Sequence, residues 1–192
     1  MAPGQVILIG DSIRLGYQEA ARAALAGRAE VWGPEQNGGD SANVRQHLEA
    51  WALSRPAAVV HLNCGLHDLK RPFGADANQV PLAAYEENLR DIFGRLAQAC
   101  PGRVAWATTT PVDEDRHHRT KGFDRLAADL AAYNVVALRL AAEYRVPVDD
   151  LHGAVTAAGP GGLLAADGVH FLAPGYELLG RTVAAFLQRW LP

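Results

Sequence analysis

Short apolar runs alternate with longer Ala- and Leu-rich segments along this chain, and that alternation constrains its fold more than any other feature. The short runs predict strands and the longer segments predict helices. The predicted strands are Gln5–Ile9, Glu30–Trp32, Ala57–Leu62, Val104–Thr108 and Val146–Val148. The predicted helices are 14–25, 43–53, 82–99, 123–144 and 175–190. Strands this apolar, separated by helices, predict an α/β fold with a five-stranded parallel sheet covered on both faces.

Length and charge restrict the classes of function. The 192 residues, of which 49% are apolar, predict a single domain spanning 1–192. A net charge of −3 without a long basic run argues against nucleic acid and against an anionic membrane surface as partners. No apolar run is long enough to span a bilayer. Two cysteines without metal spacing, and an opening "MAPGQVILIG" without the pattern of a signal peptide, predict a cytoplasmic protein.

Four long connections carry most of the chemically versatile residues. They are 33–42, 63–81, 109–122 and 149–174, and each follows the carboxyl end of a predicted strand. In open α/β sheets this edge is where ligands bind. We therefore expect a functional site assembled from these loops.

The stretch "VILIGDSIRLGY" places Ser12 between a buried strand and a helix. A serine there could cap the helix, or it could be a nucleophile beside helix NH groups that stabilise a developing oxyanion. The chain has only two other serines: Ser54 ends a helix, and Ser41 is interpreted as a helix cap. A nucleophilic role for Ser12 requires a base and an acid that orients the base.

Both groups occur in "AADGVHFLAPGY", where Asp167 precedes His170 by three residues. That spacing allows the carboxylate to bind one imidazole nitrogen while the other nitrogen faces the serine. For the oxyanion, the loop "GPEQNGGDSANV" supplies Gly38 and Gly39, whose NH groups a substrate can approach without meeting a Cβ. The third loop, "HLNCGLHDLKR", brings His67 and its neighbours to the same edge.

Together these segments resemble the SGNH (GDSL-type) hydrolases. Gly10-Asp11-Ser12-Ile13 is similar to the first block of the family, Gly39 to the glycine of the second block, and Asp167-Gly168-Val169-His170 to the final D-x-x-H block. The resemblance implies a three-layer α/β/α sandwich of flavodoxin-like type, ester hydrolysis through an acyl-enzyme, and neither a metal nor a cofactor. It also implies that Ser12 is the nucleophile, His170 the base and Asp167 the orienting acid.

The third block departs from the family pattern. It is usually G-x-N-D, whereas Gly65-Leu66-His67-Asp68 places a histidine where the oxyanion asparagine would lie. The resemblance implies an oxyanion hole formed by the NH groups of Ser12 and Gly39 and by this side chain. A neutral imidazole donates one NH, so His67 could fill the role. Alternatively, Asn63 or another neighbour donates and His67 binds substrate.

The substrate is predicted to be a small-molecule ester. Candidate substrate-binding residues are Asp11, Arg14, Trp32, Asn63 and His118. The cluster "DEDRHH" matches no fixed metal-ligand spacing, so we predict no metal site. Because the loops lack long apolar lid segments, a short acyl group is favoured, and the resemblance leans toward esterases that act on acetylated carbohydrates.

Two further functions remain open. The first is a catalytically weak relative that binds ligands, and the second is an O-acyltransferase that uses the same triad. A phosphate-binding module of flavodoxin type is disfavoured, because "GDSIRLG" contains too few glycines for a phosphate-binding loop.

Overall fold

The computed structural model describes residues 4–191 and contains one main sheet of five parallel strands. Residues 1–3 and 192, which the single-domain prediction includes, lie outside the described residues. The strands are β1 (Gly4–Ile9), β2 (Ala29–Trp32), β3 (Val59–Leu62), β4 (Arg71–Pro72), β5 (Val104–Ala107), β6 (Phe123–Asp124) and β7 (Val148–Asp149). The main sheet has the order β2-β1-β3-β5-β7, and β4 pairs with β6 in a separate antiparallel ribbon.

Seven α-helices accompany the strands in the described part of the chain. They are α1 (Ser12–Ala24), α2 (Ser41–Leu48), α3 (Leu82–Ala99), α4 (Glu114–Thr120), α5 (Ala127–Glu143), α6 (Leu151–Ala158) and α7 (Ala173–Leu187). A π-helical turn, Glu49–Leu53, continues α2, and 3₁₀ turns occur at Pro160–Gly162 and Gln188–Trp190. None of these helices is long and apolar enough to cross a membrane.

The sheet is the middle layer of an α/β/α sandwich. All residues of β3 and β5, and the last four residues of β1, are buried, as expected for central parallel strands covered on both sides. Helices α1, α6 and α7 pack together, and α2, α3 and α5 pack together, which gives the two outer layers. The predicted fold class and the five-stranded parallel sheet are therefore confirmed.

Several local predictions were wrong. The predicted helix 123–144 begins only at Ala127, because Phe123 and Asp124 pair with β4 instead. Two short helices, α4 and α6, lie in connections predicted as loops. The fifth strand begins at Val148, two residues later than predicted.

Close packing of α7 on α1 brings together two ends of the site that are distant in sequence. Gly180 permits this approach, since a Cβ on Gly180 would lie 2.5 Å from the Cβ of Ala20. Helix α1 begins with Ser12, and α7 follows directly after the loop that contains Asp167 and His170. The packing of the two helices therefore sets the position of the serine relative to the histidine.

Candidate active site

Ser12 is the first residue of α1, and its hydroxyl does not cap the helix. Asp11 is the cap instead, because its Oδ1 accepts a hydrogen bond of 2.9 Å from the NH of Ile13. The Ser12 hydroxyl is thereby free to donate to His170 Nε2 at 2.9 Å. Within residues 4–191 the Ser12 NH makes no hydrogen bond, so it is available to a ligand.

Asp167 fixes the orientation of the His170 ring. Its Oδ2 accepts from His170 Nδ1 at 2.6 Å, and its Oδ1 accepts from the NH groups of Val169 and His170 at 3.2 and 3.0 Å. Since a carboxylate only accepts, Nδ1 carries the proton and Nε2 has a lone pair for the serine proton. The three side chains thus form one directed chain of hydrogen bonds.

The pKa of the Asp167 carboxyl lies well below its usual range. Burial acts to raise this pKa, but the hydrogen bonds from the His170 side chain and from the two backbone NH groups outweigh it. Lys121 lies 3.3 Å from Oδ2 and adds a nearby positive charge. Asp167 is therefore ionised at neutral pH, as an acid that stabilises an imidazolium must be.

The glycine loop lies directly against the segment that precedes Ser12. The NH of Gly38 donates to the carbonyl of Gly10 at 2.9 Å, and a Cβ on Gly38 would lie 2.7 Å from that same oxygen. Gly39 has φ +65°, and its NH donates to the Asn37 Oδ1 at 2.8 Å. The side chain of Asn37 therefore occupies this NH in the structure.

The start of α2 ties the glycine loop to the third loop. Asp40 is the cap of α2, accepting from the NH of Asn43, so the prediction that Ser41 caps this helix was wrong. The NH of Ser41 instead donates to both carboxylate oxygens of Asp68, each at 3.0 Å. Burial raises the pKa of Asp68 to about 7, although the hydrogen bonds from Ser41 act to lower it.

His67 lines the same cleft as Ser12 and His170. Burial, and then the charges of Lys70 and Arg125, lower the pKa of His67 to about 4. Its imidazole is therefore neutral at physiological pH and carries one NH. That side chain makes no hydrogen bond to any part of the chain that the structure describes, so the NH is free to donate to a ligand.

The cleft has a volume of about 270 Å³. Besides Ser12, His67 and His170, its lining contains three cationic residues and a small apolar group. The cations are Lys70, Lys121 and Arg125, and the apolar residues are Leu66, Phe123 and Val169. Lys70 and Arg125 were not predicted as site residues, because no local motif links them to the serine.

Arg14 was predicted to bind substrate, and the structure corrects this prediction. Arg14 is only 1% exposed and does not line the cleft. One Nη donates to the carbonyls of Pro34 and Gln36 at 2.7 and 3.0 Å, and the other donates to Gln18 Oε1 at 2.9 Å. Arg14 therefore holds the loop that carries the glycine pair.

The other predicted substrate-binding residues also have structural roles. Asp11 lines the base of the cleft but is buried as the helix cap. Asn63 donates to the carbonyl of Ala107 at 2.7 Å and to Thr109 Oγ1 at 3.2 Å, which leaves its amide committed rather than free for an oxyanion.

Trp32 and His118, which were also predicted to bind substrate, lie outside the cleft. The guanidinium of Arg55 covers Trp32 at 3.7 Å, in a separate groove. His118 binds Asp124 at 2.7 Å on the surface, outside the lining of the cleft.

The cluster at 113–118 belongs to the fold rather than to the site. Asp113 caps α4, and the buried His117 donates from Nδ1 to the carbonyl of Asp167 at 3.2 Å. Across residues 4–191, no three His, Cys, Asp or Glu side chains are grouped so as to hold a metal ion.

A serine, a histidine and an aspartate joined by hydrogen bonds at the carboxyl edge of a parallel sheet are the arrangement of a serine hydrolase. The model of the GDSL-like lipase/acylhydrolase family matches residues 8–178. The chain therefore belongs to this family of ester hydrolases, and the predicted resemblance is confirmed.

Solved structures agree with this assignment. The lipase/acylhydrolase from Enterococcus faecalis is 25% identical, with a TM-score of 0.80 over 98% of this chain and 97% of that chain. The acetylxylan esterase Axe2 from Geobacillus stearothermophilus is 18% identical, with a TM-score of 0.76 over 97% of this chain and 94% of that one. The acetyl xylan esterase AlAXEase is 20% identical, with a TM-score of 0.76 over 95% and 99% of the two chains. None of the curated proteins matches this chain.

Proposed function

We propose that this protein is a serine esterase that hydrolyses a short-acyl carboxylic ester through an acyl-enzyme. The observation that carries the proposal is the hydrogen-bonded series Ser12–His170–Asp167, with distances of 2.9 and 2.6 Å. It lies in a cleft at the edge of the sheet where ligands bind in α/β folds. Family membership supports ester hydrolysis in general, and the residue roles and the acyl group are part of the proposal.

In the proposed first step, the Ser12 Oγ attacks the ester carbonyl while His170 Nε2 takes the hydroxyl proton. Asp167 holds the Nδ1 proton and stabilises the imidazolium that forms. The carbonyl oxygen becomes an oxyanion, which accepts hydrogen bonds from the NH groups of Ser12 and Gly39 and from the imidazole NH of His67. His170 then protonates the leaving alcohol, and the acyl group remains on Ser12.

In the second step, a water molecule enters where the alcohol has left. His170 Nε2 takes a proton from this water as its oxygen attacks the acyl carbon. The same three donors hold the second oxyanion, and its collapse releases the carboxylic acid and returns the proton to Ser12. No metal or organic cofactor takes part in this sequence.

The choice of His67 as third donor follows from its surroundings. Its pKa of about 4 keeps the imidazole neutral with one NH to donate, whereas the Asn63 amide is engaged by Ala107 and Thr109. We therefore propose that His67 takes the place of the asparagine implied by the family pattern. Asn37 occupies the Gly39 NH in the absence of substrate and moves aside when the oxyanion forms.

A short acyl group is consistent with the modest volume and the few apolar residues of the cleft. Two of the similar structures are acetylxylan esterases, which supports an acetylated carbohydrate as the class to test first. No observation favours a non-catalytic binding role or acyl transfer to a second alcohol, so hydrolysis is the function proposed. Cytoplasmic location stays a prediction from the sequence.

The test combines hydrolysis of p-nitrophenyl acetate with labelling by a fluorophosphonate, for the wild type and for Ser12→Ala. Saturable turnover and labelling of the wild type, both lost in Ser12→Ala, are expected. Ser54→Ala is the matched control, because the Ser54 hydroxyl binds the Glu49 carbonyl on the surface and should leave both readouts unchanged. Equal rates in the wild type and Ser12→Ala would refute the proposal.

A further inference from the structure

The cleft beside Ser12 is strongly cationic, although the chain as a whole carries a net charge of −3. Lys70, Lys121 and Arg125 all contribute to its lining, and Asp11 is the one carboxylate among the lining residues. The sequence contains only two lysines, and both lie here. The neighbouring histidine, His67, is neutral at physiological pH. The opening that a substrate must enter is therefore positive.

Arg125 is the most informative of these cations, because it is buried without an ion-pair partner. Its side chain is 6% exposed, and within residues 4–191 no carboxylate lies within 4.0 Å of it. Nε donates to the Leu66 carbonyl at 2.5 Å, and one Nη lies 3.4 Å from His117 Nε2. The second Nη makes no hydrogen bond to any described residue. Burying a charge without a partner costs free energy, so an anion that binds the Arg125 guanidinium would stabilise it.

Lys70 is likewise without a carboxylate partner in the described part of the chain. Its Nζ lies 5.5 Å from the centre of the Phe123 ring, and the guanidinium of Arg125 lies 5.0 Å from that same centre. Phe123 thus has two cations around it, both lining the cleft. Burial and the charge of Arg125 lower the pKa of Lys70, and they outweigh the opposing charges of Asp40 and Asp11.

Lys121 differs from the other two, because it lies 3.3 Å from Asp167 and is partly neutralised there. Lys70 and Arg125 have no such close partner, and the carboxylates of Asp11, Asp40 and Asp167 act on them only from beyond ion-pair distance. Paired with a carboxylate or phosphate, both would form charge-assisted hydrogen bonds, and Arg125 would complete its hydrogen bonding.

We infer that the substrate is an anionic ester, in which a carboxylate or phosphate group on the acyl or alcohol part is held by Lys70 and Arg125 while Ser12 attacks the ester carbonyl. This inference rests on the proposed function and narrows its substrate class. The apolar residues of the cleft, with the Phe123 ring near both cations, contact the carbon skeleton that joins the anion to the ester.

The test compares pairs of esters that differ in charge, with turnover followed by proton release at constant pH. Monomethyl succinate against methyl butyrate places the charge on the acyl part, and 4-acetoxybenzoate against 4-acetoxybenzamide places it on the alcohol part. 4-Acetoxyphenyl phosphate tests phosphate in place of carboxylate. In at least one pair, the kcat/KM of the wild type for the anionic ester should exceed that for the neutral one by about tenfold.

Lys70→Gln should lower this anionic-to-neutral ratio by about fivefold or more, and Lys70→Arg should retain it. Arg119→Gln is the control, because it removes one positive charge from an exposed residue that does not line the cleft. Taking the ratio within each variant separates substrate recognition from catalysis. If Lys70→Gln lowers both esters equally, the cations act on the reaction itself and the inference is wrong.

Binding to Ser12→Ala, measured by calorimetry, tests the anion site without turnover. We expect monomethyl succinate, 4-acetoxybenzoate or 4-acetoxyphenyl phosphate to bind, and binding to be lost in Ser12→Ala with Lys70→Gln. Such binding in a protein whose wild type hydrolyses no ester would uphold the anion site and overturn the proposed catalytic function. If the protein hydrolyses neutral esters but neither prefers nor binds anionic ones, the proposed catalytic function is upheld and the anion site is overturned.

Discussion

The two halves of the site differ in how completely they are assembled before a substrate arrives. On the base side, Ser12, His170 and Asp167 are already connected by hydrogen bonds in the order that catalysis would use. On the oxyanion side, the Gly39 NH is occupied by Asn37 and the His67 imidazole is unbonded within the described residues. Under the proposed mechanism, the groups for proton transfer are therefore connected before a ligand binds, whereas the oxyanion hole forms only when a ligand binds.

The aspartates of the two halves, Asp167 and Asp68, show the same contrast in electrostatic terms. Each accepts hydrogen bonds from backbone NH groups, yet the pKa of Asp167 is lowered and that of Asp68 is raised to about 7. Asp167 is less buried and lies against His170 and Lys121. Asp68 is fully buried, so desolvation dominates and no described cation lies within ion-pair distance.

The largest effect is expected from breaking the base side with Asp167→Asn. The amide oxygen would keep accepting from the NH groups of Val169 and His170, so the NH₂ group would face His170 Nδ1. The ring would then carry its proton on Nε2, where it cannot accept the serine proton. We expect kcat to fall by about 10⁴-fold. The measurement is steady-state hydrolysis of p-nitrophenyl acetate, with circular dichroism as the check on folding, and a loss below tenfold would contradict the tautomer argument.

A smaller loss is expected on the oxyanion side. His67→Ala removes one of the three proposed donors and should lower kcat by about 10²- to 10³-fold, whereas His67→Asn should restore most of the rate. His118→Ala is the matched control, because that histidine lies outside the cleft lining. If Asn37→Ala lowers kcat by about 10²- to 10³-fold and His67→Ala costs little, the third donor is Asn37 instead.

Loosening the support of the glycine loop should have a more modest effect on rate. Arg14→Met removes the hydrogen bonds from the buried guanidinium to the carbonyls of Pro34 and Gln36. We expect the free energy of unfolding to fall by about 1.5–3 kcal/mol and kcat to fall about tenfold, since Gly39 is then less well positioned. Urea unfolding and hydrolysis assays measure the two effects. Unchanged stability would mean that the loop holds its conformation without Arg14.

The smallest expected effect concerns pH and Asp68. Because its pKa is raised in the folded protein, the folded state binds this proton more tightly than the unfolded chain does. The contribution of protonated Asp68 to the free energy of unfolding is fully present below pH about 4 and is lost as pH rises through about 7. Asp68→Asn should therefore flatten the decrease in the free energy of unfolding between pH 5 and 8. An unchanged slope in urea unfolding across that range would show that Asp68 is ionised at little cost.

The sequence predicted those parts of the molecule that depend on local pattern. Runs of buried apolar residues identified the five strands of the main sheet, and the order of four short motifs identified the family. Ser12, Asp167 and His170 were predicted from two such motifs and lie together in the structure. Such predictions work because strand burial and turn chemistry act over a few residues.

Other features were missed because they depend on contacts between distant segments. The glycine-free stretch 114–120 is polar throughout and lacks a helical apolar stripe, so only its Asp113 cap indicated a helix. Arg14 looked like a ligand-binding residue because of its position two residues after the serine, and only the path of the 34–36 loop shows that it is buried. Lys70 and Arg125 are 55 positions apart in the sequence, and the sheet edge brings them together.

The serine and its histidine are separated by 158 positions, and the packing of α7 on α1 joins them. A chain still being synthesised therefore displays the serine long before the residue that would activate it exists. After dilution from denaturant, recovery of the sheet and recovery of ester hydrolysis should be distinct events. Recovery of ester hydrolysis would report the docking of the last helix, α7, on α1. An activity assay during refolding would therefore measure the rate of that final folding step.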